Sequence, residues 1–481
     1  MSLGLTAPPD TQIEINGEKL ASGANWSSPI LPLGELKIVV VLTSKFGVTS
    51  RYELTVERAA EQEAYVKAQM PGAEDGFGFG LSISGDTLVV GALYEDSAST
   101  SGDQSNNAAS NSGAAYVFVR EGKRWTQQAY LKSDKPSTDD FFGLNVAVSG
   151  DTLAVSSTRA SPYGDISSRR RGLVYVYTRT AGIWTRQATL SAPDGDGPDL
   201  FGYGLALQHD RLVVGAPFDS QSATHGGAVY VFTRSGGSWS APTKLVAMTP
   251  QAEDYLGCSV ALDADTLLAG AHHENQAVVG QSGAGSARVF VRRDNTWVEQ
   301  QRLQAPSPGD GDMFGFSVAL LGDTAIVGAP HGDLFAMVPS GRAYVFERSG
   351  DKWMTTTTLE APVPRDADYF GGAVALSQSA AVVGANGDAS GASGTKADAA
   401  RDDAPQSGAF YVYTRNEESW IRSAFVKAAV VDRDDRFGRR VALDGDTVVV
   451  SALDEGSNAS GIDGDATNNG AKWSGAAYVF R

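Results

Sequence analysis

Apolar and polar positions alternate along most of this chain, and the alternation is packaged in a recurring unit. In Phe314-Gly315-Phe316-Ser317-Val318-Ala319-Leu320 the larger apolar residues Phe316, Val318 and Leu320 fall on every second position. Period-two spacing predicts a half-buried strand. The turn Gly322-Asp323-Thr324 comes next, and Gly and Asp tolerate the backbone of a tight hairpin. A second apolar run, Ala325-Ile326-Val327-Gly328-Ala329, predicts the partner strand. After a variable loop come Tyr344-Val345-Phe346 and then a strand opening at Trp353. β-branched and aromatic residues bounded by Gly, Asp and Ser are strand chemistry.

The unit occurs seven times. Its Phe-Gly step stands at Phe77, Phe142, Phe201, Phe314, Phe370 and Phe437, with Leu256 replacing Phe in the fourth copy. The period is roughly 60 residues, which marks stacked or radially arranged units. Four short antiparallel strands repeated seven times predict an all-β fold, a seven-bladed β-propeller. Trp strands begin at Trp125, Trp184, Trp239, Trp297, Trp353 and Trp420, so the last unit ends without one. The segment 63–68, Glu63 to Ala68, precedes the first Phe-Gly and echoes Gln128 to Ser133. It is expected to close the ring by pairing with the last blade, which would leave no exposed seam. The expected division is a small β-segment over 1–60 and a propeller over 61–481.

Composition narrows the partners. Lys plus Arg number 39 against 56 Asp plus Glu, a net charge of −17. An acidic surface argues against nucleic acid and against an anionic membrane surface. No run approaches the length of a membrane-spanning helix, so no membrane insertion is expected. Cys258 is the only cysteine, which excludes an internal disulfide and reads as a small buried apolar residue. Met1-Ser2-Leu3-Gly4 carries no export-signal pattern.

From Phe77 onward the repeat resembles the FG-GAP family, whose repeats form the seven-bladed head of integrin α subunits. The likeness rests on the Phe-Gly steps, on Gly215-Ala216-Pro217 and Gly328-Ala329-Pro330, and in part on Gly91-Ala92, Gly270-Ala271 and Gly384-Ala385. Ser156-Ser157 and Ser451-Ala452 depart from it, so blades two and seven are expected to be looser there. The leading segment resembles the later half of a cadherin-like β-sandwich, ending in Tyr52 to Arg58. The FG-GAP resemblance implies that the Phe-Gly strand is innermost. The loops joining strands 2 and 3 then share one face with the blade-to-blade connections. Integrin calcium loops lie in the 1–2 hairpins, which are short here, so that assignment does not carry over.

Three loops between strands 2 and 3 are long: Leu93 to Ser112, Asn386 to Ser407 and Leu453 to Ser474. They belong to blades one, six and seven, which are neighbours in a closed ring. Long loops are usually functional or disordered. Asp463, Asp465, Asn468 and Asn469 place hard oxygens at the spacing of a calcium loop, and Asp194, Asp196 and Asp199 make a second candidate. Gly102-Asp103-Gln104-Ser105-Asn106-Asn107 is a weaker echo. Calcium is the one cofactor these loops admit. An Asp two residues before every Phe position, Asp75 to Asp435, reads as a turn-forming acceptor of backbone N–H groups. His225, His272, His273 and His331, with Glu274 and Asp333 near, lack any spacing that enforces a transition-metal site. Arg169-Arg170-Arg171 reads as a solvated loop tip.

No nucleophile elbow, zinc-protease or phosphate-loop motif is present. The expectation is therefore a non-catalytic, extracellular or cell-surface adhesion module that engages protein or glycan through the long-loop face. Its export signal would lie outside this stretch. Two alternatives stand beside it. One is a polysaccharide lyase or glycosidase with its site in the central channel, which a carboxyl pair or a Tyr/His/Arg cluster there would favour. The other is a structural module of a larger surface protein.

Overall fold

The computed structural model describes residues 2–481 apart from 5, 6, 8, 9, 28–33, 59, 101, 159–170, 196, 276–282, 332–339, 395, 396, 417 and 418. All regular elements among the described residues are strands. Blade one comprises Phe77–Ser84, Thr87–Ala92, Ala114–Glu121 and Arg124–Leu131, paired antiparallel in chain order. Five more blades repeat this order. In blade three the fourth strand is split into Ser238–Trp239 and Thr243–Leu245. Pro242 falls in the gap and has no N–H to give the ladder. The last sheet takes Phe437–Asp444, Thr447–Ala452 and Ala476–Phe480 from the C-terminus and Gln62–Val66 from before blade one.

In that last sheet Tyr65 stands opposite Tyr478 and Ala64 opposite Val479. A side-chain contact shows how fully this strand substitutes for a missing one. The Trp184 indole donates to Gln128 Oε1 at 2.8 Å, Trp239 to Gln187 at 3.0 Å and Trp353 to Gln300 at 3.2 Å, each in the preceding blade's outer strand. Trp125 donates to Glu63 at 3.1 Å. Glu63 thus holds the place that a glutamine holds in the outer strands of blades one, two and four.

Neighbouring blades are joined by apolar packing and by a backbone staple. Val89, Ala115 and Val117 of blade one pack with Phe142, Val155 and Tyr175 of blade two. Val449 and Val479 of blade seven pack with Phe77, Val90 and Tyr116 of blade one in the same way. Each fully buried Phe or Val contributes about 1.5–3 kcal/mol relative to exposure. The Phe142 amide donates to Ser112 O at 3.0 Å, Phe437 to Ser407 O at 3.0 Å, and Phe77 to Ser474 O at 2.9 Å. The last of these crosses from blade seven to blade one.

The glycine of the Phe-Gly step has a physical reason. Gly143 has φ +94°, and a Cβ there would collide with the Ala114 carbonyl of the preceding blade. Its equivalents, Gly78 to Gly438, span φ +89° to +103°. The two serine departures are not loose. Ser156 and Ser451 are fully buried. Their hydroxyls accept the amides of Asn145 (3.0 Å) and Arg440 (3.1 Å) across the same blade.

The leading segment forms its own four-stranded sheet, in the order Glu18–Leu20, Gln12–Ile15, Gly34–Thr43 and Thr49–Arg58. Asn16 and Gly17 turn its first hairpin with φ +48° and +82°. Ile13, Ile15, Trp26, Ile38 and Val40 form its core. Arg58 reaches Asp446 of blade seven at 2.9 Å.

Candidate functional site at the ring axis

The inner strands supply the site through an irregularity. In blades one, two, six and seven the pairing of strands 1 and 2 slips just after the Phe position, between Phe77 and Gly80, Phe142 and Val146, Phe370 and Ala373, and Phe437 and Val441. A bulge re-aims the side chains it contains. The two residues after each Phe-Gly step differ from blade to blade: Phe79-Gly80, Leu144-Asn145, Tyr203-Gly204, Cys258-Ser259, Phe316-Ser317, Gly372-Ala373 and Arg439-Arg440. All of these except Gly80 line a cavity of 680 Å³ at the axis. Val260, Val318, Val374 and Val441 line it as well, one position further along their strands. Asn111, Leu453, Asp454 and Trp473 reach it from the long loops of blades one and seven, so the cavity opens on the long-loop face.

Aromatic rings line the cavity from blades one, four and five. Phe79 meets Tyr94 edge-on at 6.3 Å, and His272 meets Phe316 at 5.8 Å. Tyr255 stacks on His272 at 5.9 Å. Blade seven contributes the cationic groups, next to Phe79. The Arg440 guanidinium sits 5.6 Å over the Phe79 ring and donates through Nε to the Phe79 carbonyl at 3.1 Å. Burial, with adjacent Arg439, pushes Arg440 down to about 10, so it stays charged at neutral pH. Arg436, at the mouth, is paired with Asp454 at 3.1 Å.

Proton-transfer chemistry is poorly matched to these groups. Burial, helped by His273 and His331, pushes His272 down to about 3, so the imidazole is neutral. Burial raises the Tyr203 phenol. It also raises the Cys258 thiol to about 11, which leaves no thiolate near pH 7. General acid–base work favours groups that titrate near the operating pH.

The long loops are ordered by one repeated frame. In blade one Lys132 donates to Glu95 (2.6 Å) and to Ser112 (2.8 Å). In blade six Lys427 does the same with Asp388 (3.0 Å) and Ser407 (2.8 Å). In blade seven Lys67 holds Glu455 (2.5 Å) and Ser474 (2.7 Å). The three lysines are buried, and burial lowers each one's pKa against the pull of its acid. These pairs pin both ends of each long loop to the outer strand beneath it. Reading by alternation treats such lysines as solvated, so this signal was missed. A Lys directly after the fourth strand, with an acid three residues after the alanine that ends the second strand, could have revealed it.

The expected turn role of the Asp residues is visible in the hydrogen bonds. Asp75 accepts the Gly72 amide (2.7 Å), Asp140 that of Ser137 (3.0 Å), Asp254 that of Gln251 (2.8 Å) and Asp368 that of Arg365 (2.9 Å). The residue between Asp and Phe adopts positive φ, as at Phe141, Tyr255 and Tyr369. Burial raises Asp75 and Asp368 to about 7 and Asp435 to about 8. A carboxyl whose folded pKa exceeds its unfolded value stabilises the fold at low pH and loses that contribution as pH rises through the folded value. Asp435→Asn keeps an acceptor for the Asp432 amide but cannot ionise. Thermal melts from pH 5 to pH 9 should therefore show wild type losing stability relative to this variant as pH rises from 5 towards about 8, with the loss levelling off above that. A constant difference across that range would contradict the assignment.

The calcium candidates lie in the following surroundings. Asp463 accepts the Tyr65 amide at 2.9 Å and so grips the closing strand. Asp465 accepts from Thr467 N (2.9 Å) and Oγ1 (2.6 Å). Asn468 accepts the Asn458 amide at 3.0 Å, and Asn469 donates to Asp432 at 3.2 Å. In blade one Asp103 accepts from Ser105 N (3.0 Å) and Oγ (2.6 Å), as Asp465 does from Thr467. Asp194 accepts from Tyr230 (2.8 Å) and from Lys244 (2.7 Å), which also holds Asp219. Asp199 is buried beside Gly195. Asp196, Asp333, Arg169 and Arg170 lie outside the described residues. Among the histidines, His272 and His273 meet at 4.9 Å, His225 packs on Phe218 and His331 on Tyr369. Among the described residues no three His, Cys, Asp or Glu side chains cluster closely enough to hold a metal ion.

Seven segments of the chain match the model of the FG-GAP repeat: residues 61–118, 125–177, 184–232, 239–290, 297–346, 353–413 and 420–480. The match begins after the leading sheet, whose cadherin-like resemblance gains no support from it. No curated protein matches the chain. No helix among the described residues is long and apolar enough to cross a membrane.

Proposed function

Because the chain belongs to the FG-GAP repeat family, we propose that it is a non-catalytic binding or adhesion module of the cell surface or extracellular space. It engages a protein or glycan through the face that carries the long loops of blades six, seven and one. FG-GAP propellers are typically non-enzymatic binding folds, and typically extracellular. The observation that carries the reading is the shared loop frame, in which Lys132, Lys427 and Lys67 each bind an acid and a serine at the loop base. A surface ordered before binding spends less free energy on ordering its loops. Binding to arrayed extracellular glycans and proteins should weaken at least about tenfold when the tips 102–107 and 465–469 are replaced by short Gly-Ser links. Unchanged binding by the trimmed protein would count against this face.

Calcium belongs to this reading as a separate proposal, with Asp463, Asp465, Asn468 and Asn469 as one ligand set and Asp194, Asp196 and Asp199 as another. An ion would have to replace the loop's own hydrogen bonds at Asp465 and Asn468. Millimolar calcium would then raise the melting midpoint, and Asp465→Ala would remove the rise. No shift at millimolar calcium would exclude it.

A second reading has one observation in its favour. Tyr203, His272, Arg439 and Arg440 all line the axial cavity, the cluster that a polysaccharide lyase or glycosidase would place there. Release of unsaturated or reducing ends from acidic polysaccharides, lost in Tyr203→Phe, would establish it.

A further inference from the structure

We propose that the axial cavity binds a carboxylate-bearing sugar residue, a uronate, with Arg440 and Arg439 taking the carboxylate and the aromatic rings of the lining receiving the sugar ring. The inference rests on the glycan-binding reading above and names the ligand class for that face.

Charge is the first argument. The chain carries −17 overall, yet two adjacent arginines face its axial cavity. Among the described residues no carboxylate forms an ion pair with Arg440. Its Nε is committed to the Phe79 carbonyl, and the Phe79 ring below fixes the guanidinium plane. A planar guanidinium held in this way presents its terminal nitrogens to a carboxylate with little further ordering. Arg436, nearer the mouth, is already neutralised by Asp454.

The rest of the lining says what accompanies the carboxylate. Phe79, Tyr203 and Phe316 offer flat apolar surface for the C–H face of a sugar ring. Asn145 and Ser259 add polar groups for hydroxyls, although each already donates one bond, to the Tyr203 and Gly315 carbonyls. His272 Nδ1 is buried and has no hydrogen-bond partner. Glu74 and Asp454 at the mouth disfavour a multiply charged anion, so a single carboxylate fits better than a phosphate ester. The 680 Å³ volume is that of a small-molecule site.

The test is calorimetric titration of the whole protein with tri-galacturonate and with its fully methyl-esterified form, which keeps the shape and removes the charge. The acid should bind at least about tenfold more tightly than the ester, and more weakly as salt is added. Arg440→Met should lose about tenfold or more in affinity for the acid and little for the ester, with Arg440→Lys in between. Arg439→Met is the second variant, and melting curves establish that each is folded. Equal affinity for acid and ester, or acid binding unchanged in both folded variants, overturns the inference. So does the absence of binding to either compound. None of these results touches the loop-face reading, which stands or falls on the trimmed-loop comparison.

Discussion

Replacing Lys67 with alanine is expected to lower the unfolding free energy by about 3–5 kcal/mol. Lys67 is 1% exposed and belongs to the short segment that precedes blade one. Its ammonium holds Glu455 at 2.5 Å and Ser474 at 2.7 Å, both in blade seven. Removing it leaves a carboxylate buried without its partner and frees the end of the closing strand. An exposed pair nearby provides the contrast. Lys123 and Glu61 approach to 3.5 Å, with side chains 79% and 74% exposed. Lys123→Ala should leave the denaturation midpoint where it is, because water and salt screen such a pair. Denaturant titration of the two variants checks both statements. Equal effects would mean that residue 67 does not clasp the last blade.

Gly143→Ala is expected to cost about 3–5 kcal/mol, as backbone strain and a steric clash add together. Gly143 has φ +94°, outside the region an alanine adopts, and a Cβ would press on the Ala114 carbonyl of the neighbouring blade. That carbonyl belongs to a paired strand and cannot move aside cheaply. Gly150 separates the two contributions. It has φ +56°, and an added Cβ would meet nothing within 4 Å. Gly150→Ala should therefore cost only about 1–2 kcal/mol, the left-handed penalty alone. If both substitutions cost the same, the Phe-Gly glycine is not a packing requirement between blades.

The fold was legible because repetition turns weak local signals into a strong one. A single Phe-Gly step means little, whereas seven with the same alternation behind them specify a blade. The Asp residues were legible for the same reason, since a role shared by every blade belongs to the architecture. A site in the central channel was read only as an alternative and its lining residues were not identified, although their signal lay in the same alignment of units. Positions that the blades share hold the ring together, whereas the pair after Phe-Gly varies from Phe79-Gly80 to Arg439-Arg440. The bulge that turns those side chains toward the axis has no signature in hydrophobic alternation. Lys67, Lys132 and Lys427 escaped notice because a charged residue at a strand end is ordinarily solvated, and only tertiary pairing with an acid three residues past the second strand offsets the cost of burial. The serines of blades two and seven looked like defects. Their hydroxyls accept the Asn145 and Arg440 amides, the very residues whose side chains face the cavity.

Both the cavity and the long-loop face depend on the ring being closed by the strand Gln62–Val66. Amide hydrogen exchange on the intact protein, followed by fragment mass spectrometry, tests this without perturbing it. Residues 62–66 should exchange as slowly as Arg124–Leu131, their counterpart in blade one, to within about tenfold. Exchange of 62–66 at the rate of the exposed tips 102–107, while 124–131 stays protected, would show that the last blade lacks its outer strand and that the ring stands open.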